Sequence, residues 1–276
     1  MAYSTLDTTT DRSVGGDAPD VVVLIHGYQT KPKKAEGRYR DFRDVTRRVA
    51  GGGVEAFGAV RHVYWQGDHP FFPVSFLGFP VRPAVAAAAG RVLAADWFNA
   101  WSPNQRVHIV AHSLGCRVAL EAAREVEVLR RRGVYKGAKI VGLYLLAAAV
   151  PVNLCDDPQI FPRPLDHNQH VMHSGQDLVL QTLFGPGSRV GNERGPAVGR
   201  FGDPTPGRWS TSFPTDLGHG DYWSSSLVAE HICMLLGLIP WRDLQQRRLA
   251  RYSAGGGARR LDASELDARL LGARRF

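Results

Sequence analysis

The chain is poor in the residues that mark several protein classes. Its three cysteines, Cys116, Cys155 and Cys233, lie far apart and form no metal-ligand spacing. Each sits beside apolar residues and reads as a buried free thiol, so no metal site is expected. The longest apolar run, residues 140–152, is too short to cross a bilayer and contains a proline. Residues 1–13 are polar and lack the apolar stretch of a signal peptide, which makes the cytoplasm the expected location. There is no internal repeat, no G-x-G-x-x-G fingerprint and no Walker sequence, so no cofactor is expected.

What is present is a chain of 276 residues, 44% of them hydrophobic, enough to bury the core of one large α/β domain or two small ones. The formal net charge of +8 is unevenly spread: from residue 240 onward there are nine Arg against Asp243, Asp262, Glu265 and Asp267, so that tail supplies +5 and the rest +3. The basic character belongs chiefly to the tail, which reads as a solvated, partly helical appendage. No specific nucleic-acid partner is expected, contact with an anionic membrane surface stays open, and the oligomeric state is not legible.

Patterning divides the chain into a flexible arm over 1–19, a domain over 20–239 and an Arg-rich helical tail over 240–276. DVVVLI from Asp20 is a near-continuous apolar run of the kind buried on both faces of a sheet. Residues 36–50 put Phe42, Val45 and Val49 on one helical face, and Gly51-Gly52-Gly53 stops them. Further strands are expected at 59–65, 107–110, 139–147 and 170–173, with 211–214 near the last. Helices are expected over 84–100, after Ser113 and over 222–236. Strands alternating with helices predict a mostly parallel sheet of about six strands with helices on both faces. Two stretches break the pattern. Residues 66–83, with Phe71, Phe72, Phe76 and Phe79, read either as an acyl pocket or cap or as a loop packed on the sheet edge. Residues 183–208 form a long Gly/Pro-rich loop.

The most informative stretch is VHIVAHSLGCRVAL at 107–120. A buried strand ends in Ala-His-Ser-Leu-Gly and an amphipathic helix begins at once, which is the setting of a nucleophile elbow. Ala111 and Gly115 flank Ser113 where strand and helix leave no space for a large side chain. A serine hydroxyl needs a base, and the base an orienting carboxylate, in the chain order Ser, acid, His. Among ten histidines, His219 in the Gly-flanked loop DLGHGDYW is best placed. His62 and His108 lie within strands and His231 within the last helix. His112 is expected to point away from the side of the turn that Ser113 occupies. For the acid, Asp177 in HSGQDLVL follows a predicted strand, with Asp156 and Asp157 as the alternative. Asp221 is expected to cap the final helix, and Asp216 reads as a loop residue. The oxyanion donors would be the N–H groups of Leu114 and of Tyr28 in IHGYQT, where Gly27 permits a tight turn and His26 holds the loop.

VVVLIHGY, IVAHSLGCRVAL, HSGQDLVL and GHGDYW together resemble the α/β-hydrolase superfamily, and within it a bacterial-type group of serine hydrolases with a short N-terminus. The resemblance spans roughly residues 20–240. It implies an α/β-hydrolase fold and a Ser113–Asp177–His219 triad cleaving esters of small-molecule or lipid acyl groups through an acyl-enzyme. It leaves no space for the antiparallel strands that begin larger members. Two alternatives stay open: a non-catalytic binding protein on the same fold, and an acyltransferase using the same triad.

Overall fold

The structure is a computed structural model that describes residues 6–7, 18–67, 82–152, 154, 168–184, 195–202 and 211–254. Its strands grow from the apolar runs. They are β1 (Leu6–Asp7), β2 (Asp20–Ile25), β3 (Ala59–Trp65), β4 (Arg106–His112), β5 (Lys139–Leu146), β6 (Asn168–His173) and β7 (Thr211–Pro214). They form one sheet in the order β1-β3-β2-β4-β5-β6-β7. Every pairing is parallel except that of β1 with β3. β2 is buried along its whole length, as its uninterrupted Val/Leu/Ile run requires of a strand covered on both faces.

The helices are α1 (Pro32–Ala50), α2 (Arg82–Val92), α3 (Gly115–Arg131), the single turn α4 (Val198–Phe201), α5 (Ser226–Leu235) and α6 (Trp241–Ala254). α1 starts on a proline at its first turn, where the fixed φ suits the helix. It stops at Gly51, whose left-handed φ of 70° lets its N–H reach the Arg47 carbonyl. Between these ends α1 buries Ala35, Tyr39, Phe42 and Val45. α1 packs on α5, and α2 on α3, forming separate helical layers. This is the doubly covered parallel sheet of an α/β-hydrolase fold.

Four expectations need correction. The first 19 residues are not wholly outside the sheet, because Leu6 and Asp7 pair antiparallel with Trp65 and Tyr64 on the open edge of β3. The helix over 84–100 is α only to Val92, then widens to a π turn at Leu93–Trp97 and tightens to a 3₁₀ turn at Phe98–Ala100. The helix over 222–236 is likewise two pieces, a 3₁₀ turn at Tyr222–Ser224 followed by α5. Asp221 therefore caps nothing through its side chain, and Ser225 accepts from the Val228 N–H instead.

The start of the Arg-rich tail is docked on the domain. Leu244 of α6 is fully buried in a small cluster with Cys233 and Ile239, and Arg247 donates to the Val49 carbonyl of α1 at 2.7 Å. The guanidinium of Arg248 lies 4.9 Å over the Phe213 ring. Most of the aromatic stretch at 66–83, including its four Phe residues, lies outside the described residues, as do Asp156, Asp157, Cys155 and much of 183–208. Among the described residues no helix is long and apolar enough to cross a membrane.

Candidate active site

β4 ends in the middle of the sheet, and the chain must turn within two residues to start α3. Ser113 takes that turn at φ 54°, a left-handed conformation that non-glycine residues rarely adopt. The neighbours over-determine it. Its N–H donates to the Leu146 carbonyl at 2.9 Å, and its carbonyl accepts from the N–H groups of Cys116 and Ala149, each at 3.1 Å. Strained backbone held this way clusters at functional sites.

The flanking glycines are there because backbones meet. A Cβ on Gly115 would lie 2.3 Å from the His26 carbonyl oxygen, and one on Gly27 would lie 2.7 Å from Ser113 Cβ. The loop after β2 thus abuts the elbow directly. His26 anchors that loop. Its ring Nδ1–H donates to the Gly27 carbonyl at 2.8 Å, and its Nε2 accepts from the Trp65 N–H at 3.3 Å. Its own N–H donates to the Tyr39 hydroxyl, which in turn donates to the Val63 carbonyl, both at 2.7 Å. Tyr28 follows in this loop, and Leu114 opens α3. Among the described residues the Leu114 N–H has no hydrogen-bond acceptor.

The loops after β6 and β7 bring in the remaining residues. His219 Nε2 lies 2.9 Å from Ser113 Oγ, and His219 Nδ1 lies 2.8 Å from Asp177 Oδ2. Asp177 is fully buried, and its other oxygen accepts from the Leu180 N–H at 2.9 Å. Both carboxylate oxygens are therefore satisfied, as a buried acid requires. A carboxylate only accepts, so Nδ1 of His219 carries the proton. That leaves the Nε2 lone pair to accept from the serine hydroxyl. Ser113, His219 and Asp177 come together although 106 and 42 positions separate the bonded pairs.

His112 was not anticipated. Rather than pointing away, its ring packs 5.0 Å from the His219 ring, and its Nε2 lies 2.7 Å from the His219 carbonyl. A carbonyl accepts only, so the Nε2 of His112 is the donor. Burial, followed by the neighbouring His219, pushes His112 down to about 3, so it stays neutral. The ring is wedged against Tyr222 and Trp223 and ties the elbow to the loop carrying His219. A histidine at the very end of β4, beside the turn, was the sequence signal; the return of the β7–α5 loop above it was not visible. His108 and His231 lie elsewhere. His108 sits between Asp20 and the Tyr144 hydroxyl, and His231 stacks 4.2 Å from Phe213. No group of acidic, His and Cys residues among those described could hold a metal ion.

No family model matches the chain, and no curated protein is similar to it. Among solved structures it is similar to a hyperthermophilic esterase from the archaeon Pyrobaculum calidifontis, with 13% identity over 84% of this chain and 82% of that one, at a TM-score of 0.39. It is similar to YbtT, a type II thioesterase of the yersiniabactin pathway, with 12% identity over 86% and 98% of the two chains, at a TM-score of 0.43. An esterase from Pyrococcus furiosus shares 12% identity over 84% and 89%, at a TM-score of 0.39. Superposition this loose decides nothing about activity. The fold assignment rests on the strand order and on the turn at Ser113.

Proposed function

We propose that the protein is a serine hydrolase of carboxylic esters, of the esterase, lipase or thioesterase type. The observation that carries this reading is the chain of contacts Ser113 Oγ–His219 Nε2–His219 Nδ1–Asp177 Oδ2, at 2.9 and 2.8 Å. Ser113 Oγ attacks the acyl carbonyl while its proton passes to His219 Nε2, and buried Asp177 holds the imidazolium that forms. The N–H groups of Leu114 and Tyr28 receive the oxyanion, a role supported by the close approach of Gly27 to Ser113. Collapse of the intermediate breaks the ester bond, and the leaving alcohol or thiol takes the proton from Nε2. Water, deprotonated by His219, then cleaves the acyl-enzyme and regenerates the hydroxyl.

A fluorophosphonate probe and p-nitrophenyl esters test this directly. Labelling is expected on Ser113 alone. Ester turnover is expected to fall about 10⁴-fold or more in Ser113→Ala and in His219→Ala. Labelling that persists in Ser113→Ala would rule out the nucleophile, and a protein inert toward esters of every chain length would favour a binding role.

A further inference from the structure

Arg38 sits on α1 immediately before Tyr39, which anchors the loop after β2, and faces the loop that carries His219. A Cβ built on Gly220 would lie 3.5 Å from its Nη2, and its charge acts on the buried His112. The side chain is half-buried, yet among the described residues it makes no hydrogen bond and no ion pair. Two other arginines of the same helix have acidic partners, whereas the exposed Arg40 and Arg48 have none among the described residues. Arg43 and Arg47 are both held by Glu55, and Arg47 also by Asp44. Towards the site the pattern reverses: Lys31, Lys33 and Lys34 are exposed, Glu36 is the one acid between Lys31 and Arg38, and none of the five is in an ion pair among the described residues. A planar guanidinium with its fork of donors unused, beside the loop that carries His219, matches a carboxylate or a phosphate.

We propose that Arg38 is a specificity-determining residue that binds an anionic group on the substrate, so that the preferred esters or thioesters carry a carboxylate or phosphate beyond the scissile bond. The inference rests on the reading of Ser113 as the nucleophile. The anion would lie over the His219–Gly220 backbone, with the exposed Lys31, Lys33 and Lys34 of the same helix end raising its local concentration. A neutral ester would leave the guanidinium without a partner.

Matched ester pairs test this and separate the two anions. One pair is p-nitrophenyl hydrogen glutarate against p-nitrophenyl valerate, which differ by an acyl-side carboxylate. The other is S-acetylphosphopantetheine against S-acetylpantetheine, which differ by a phosphate on the leaving group. In at least one pair the ratio of kcat/KM, anionic to neutral, is expected to fall about tenfold in Arg38→Gln and to be partly kept in Arg38→Lys. The pair that responds identifies the anion. A ratio unchanged in both pairs overturns the proposal while leaving the Ser113 reading intact. Calorimetric titration of the Ser113→Ala variant with the same compounds reads binding without turnover. If the wild-type protein hydrolyses none of them and its Ser113 is not labelled by the fluorophosphonate probe, the nucleophile reading fails, and a Kd for the anionic partners that Arg38→Gln leaves unchanged sinks the Arg38 proposal separately.

Discussion

His112 and Gly27 set the tolerances around Ser113. Neutral His112 acts on His219 through a single N–H donated to its carbonyl, so on the serine-hydrolase reading its removal should displace His219 rather than unmake the fold. His112→Phe keeps a ring but loses the donor. It is expected to lower kcat about tenfold to a hundredfold with KM little changed, and His112→Gln, which can place an N–H at a similar reach, is expected to recover much of the loss. Steady-state kinetics of both variants decides, since a purely structural role would give no recovery with Gln. At Gly27 there is no space to give. Adding a methyl group 2.7 Å from Ser113 Cβ forces the β2 loop off the elbow. Gly27→Ala is therefore expected to cost about 1–3 kcal/mol in denaturant unfolding and to reduce turnover as well.

Elements near the site depend on caps and buttresses that distant chain segments supply. Ser225 caps α5, the helix entered directly from the His219 loop, and Ser225→Ala is expected to cost about 1 kcal/mol, read as a lowered unfolding midpoint. Tyr39→Phe removes an hydroxyl that both accepts from His26 and donates to Val63. Two buried groups lose their partner, and a loss of about 1–3 kcal/mol is expected by the same measurement. How far such elements were legible follows from their physics. β2 was plain because burial on both faces demands an unbroken apolar run, and the elbow because small residues must flank so sharp a turn. The π turn at Leu93–Trp97 was hidden, since an alanine-rich stretch has nearly the same pattern at any helical pitch. β1 is two residues long and pairs only with an edge, which leaves no periodicity to read. The cap at Ser225 was assigned to Asp221 because both precede an apolar helical face, and only the 3₁₀ turn between them decides which serves. The loops bearing Asp177 and His219 could be located from the strands before them. The reach of His112 to His219 could not, because it depends on how the chain returns from β7.

The whole molecule holds several ionisable groups in their neutral form, and its pH range follows from them. Burial pushes His112 and His231 down to about 3 and His170 to about 4. In the unfolded chain each titrates near 6.5, so the unfolded state binds more protons below that pH. Their contribution is fully present above about pH 6.5 and is lost as pH falls towards 4, by about 1.4 kcal/mol per pH unit for each histidine. Denaturant midpoints that did not fall between pH 7 and pH 5 would contradict this. At the alkaline end the sign reverses. Burial raises Tyr39 and Tyr222, and their contribution, intact below about pH 10, is lost as pH rises. The order in which the parts leave the ribosome has its own consequence. The serine-bearing turn sits on a central strand, whereas His219 enters on a loop after the edge strand β7. A nascent chain can therefore complete the middle of the sheet while Ser113 still lacks its contact with His219. On the serine-hydrolase reading, reactivity arrives only once residue 219 has been made, and a product truncated before it is expected to be chemically silent.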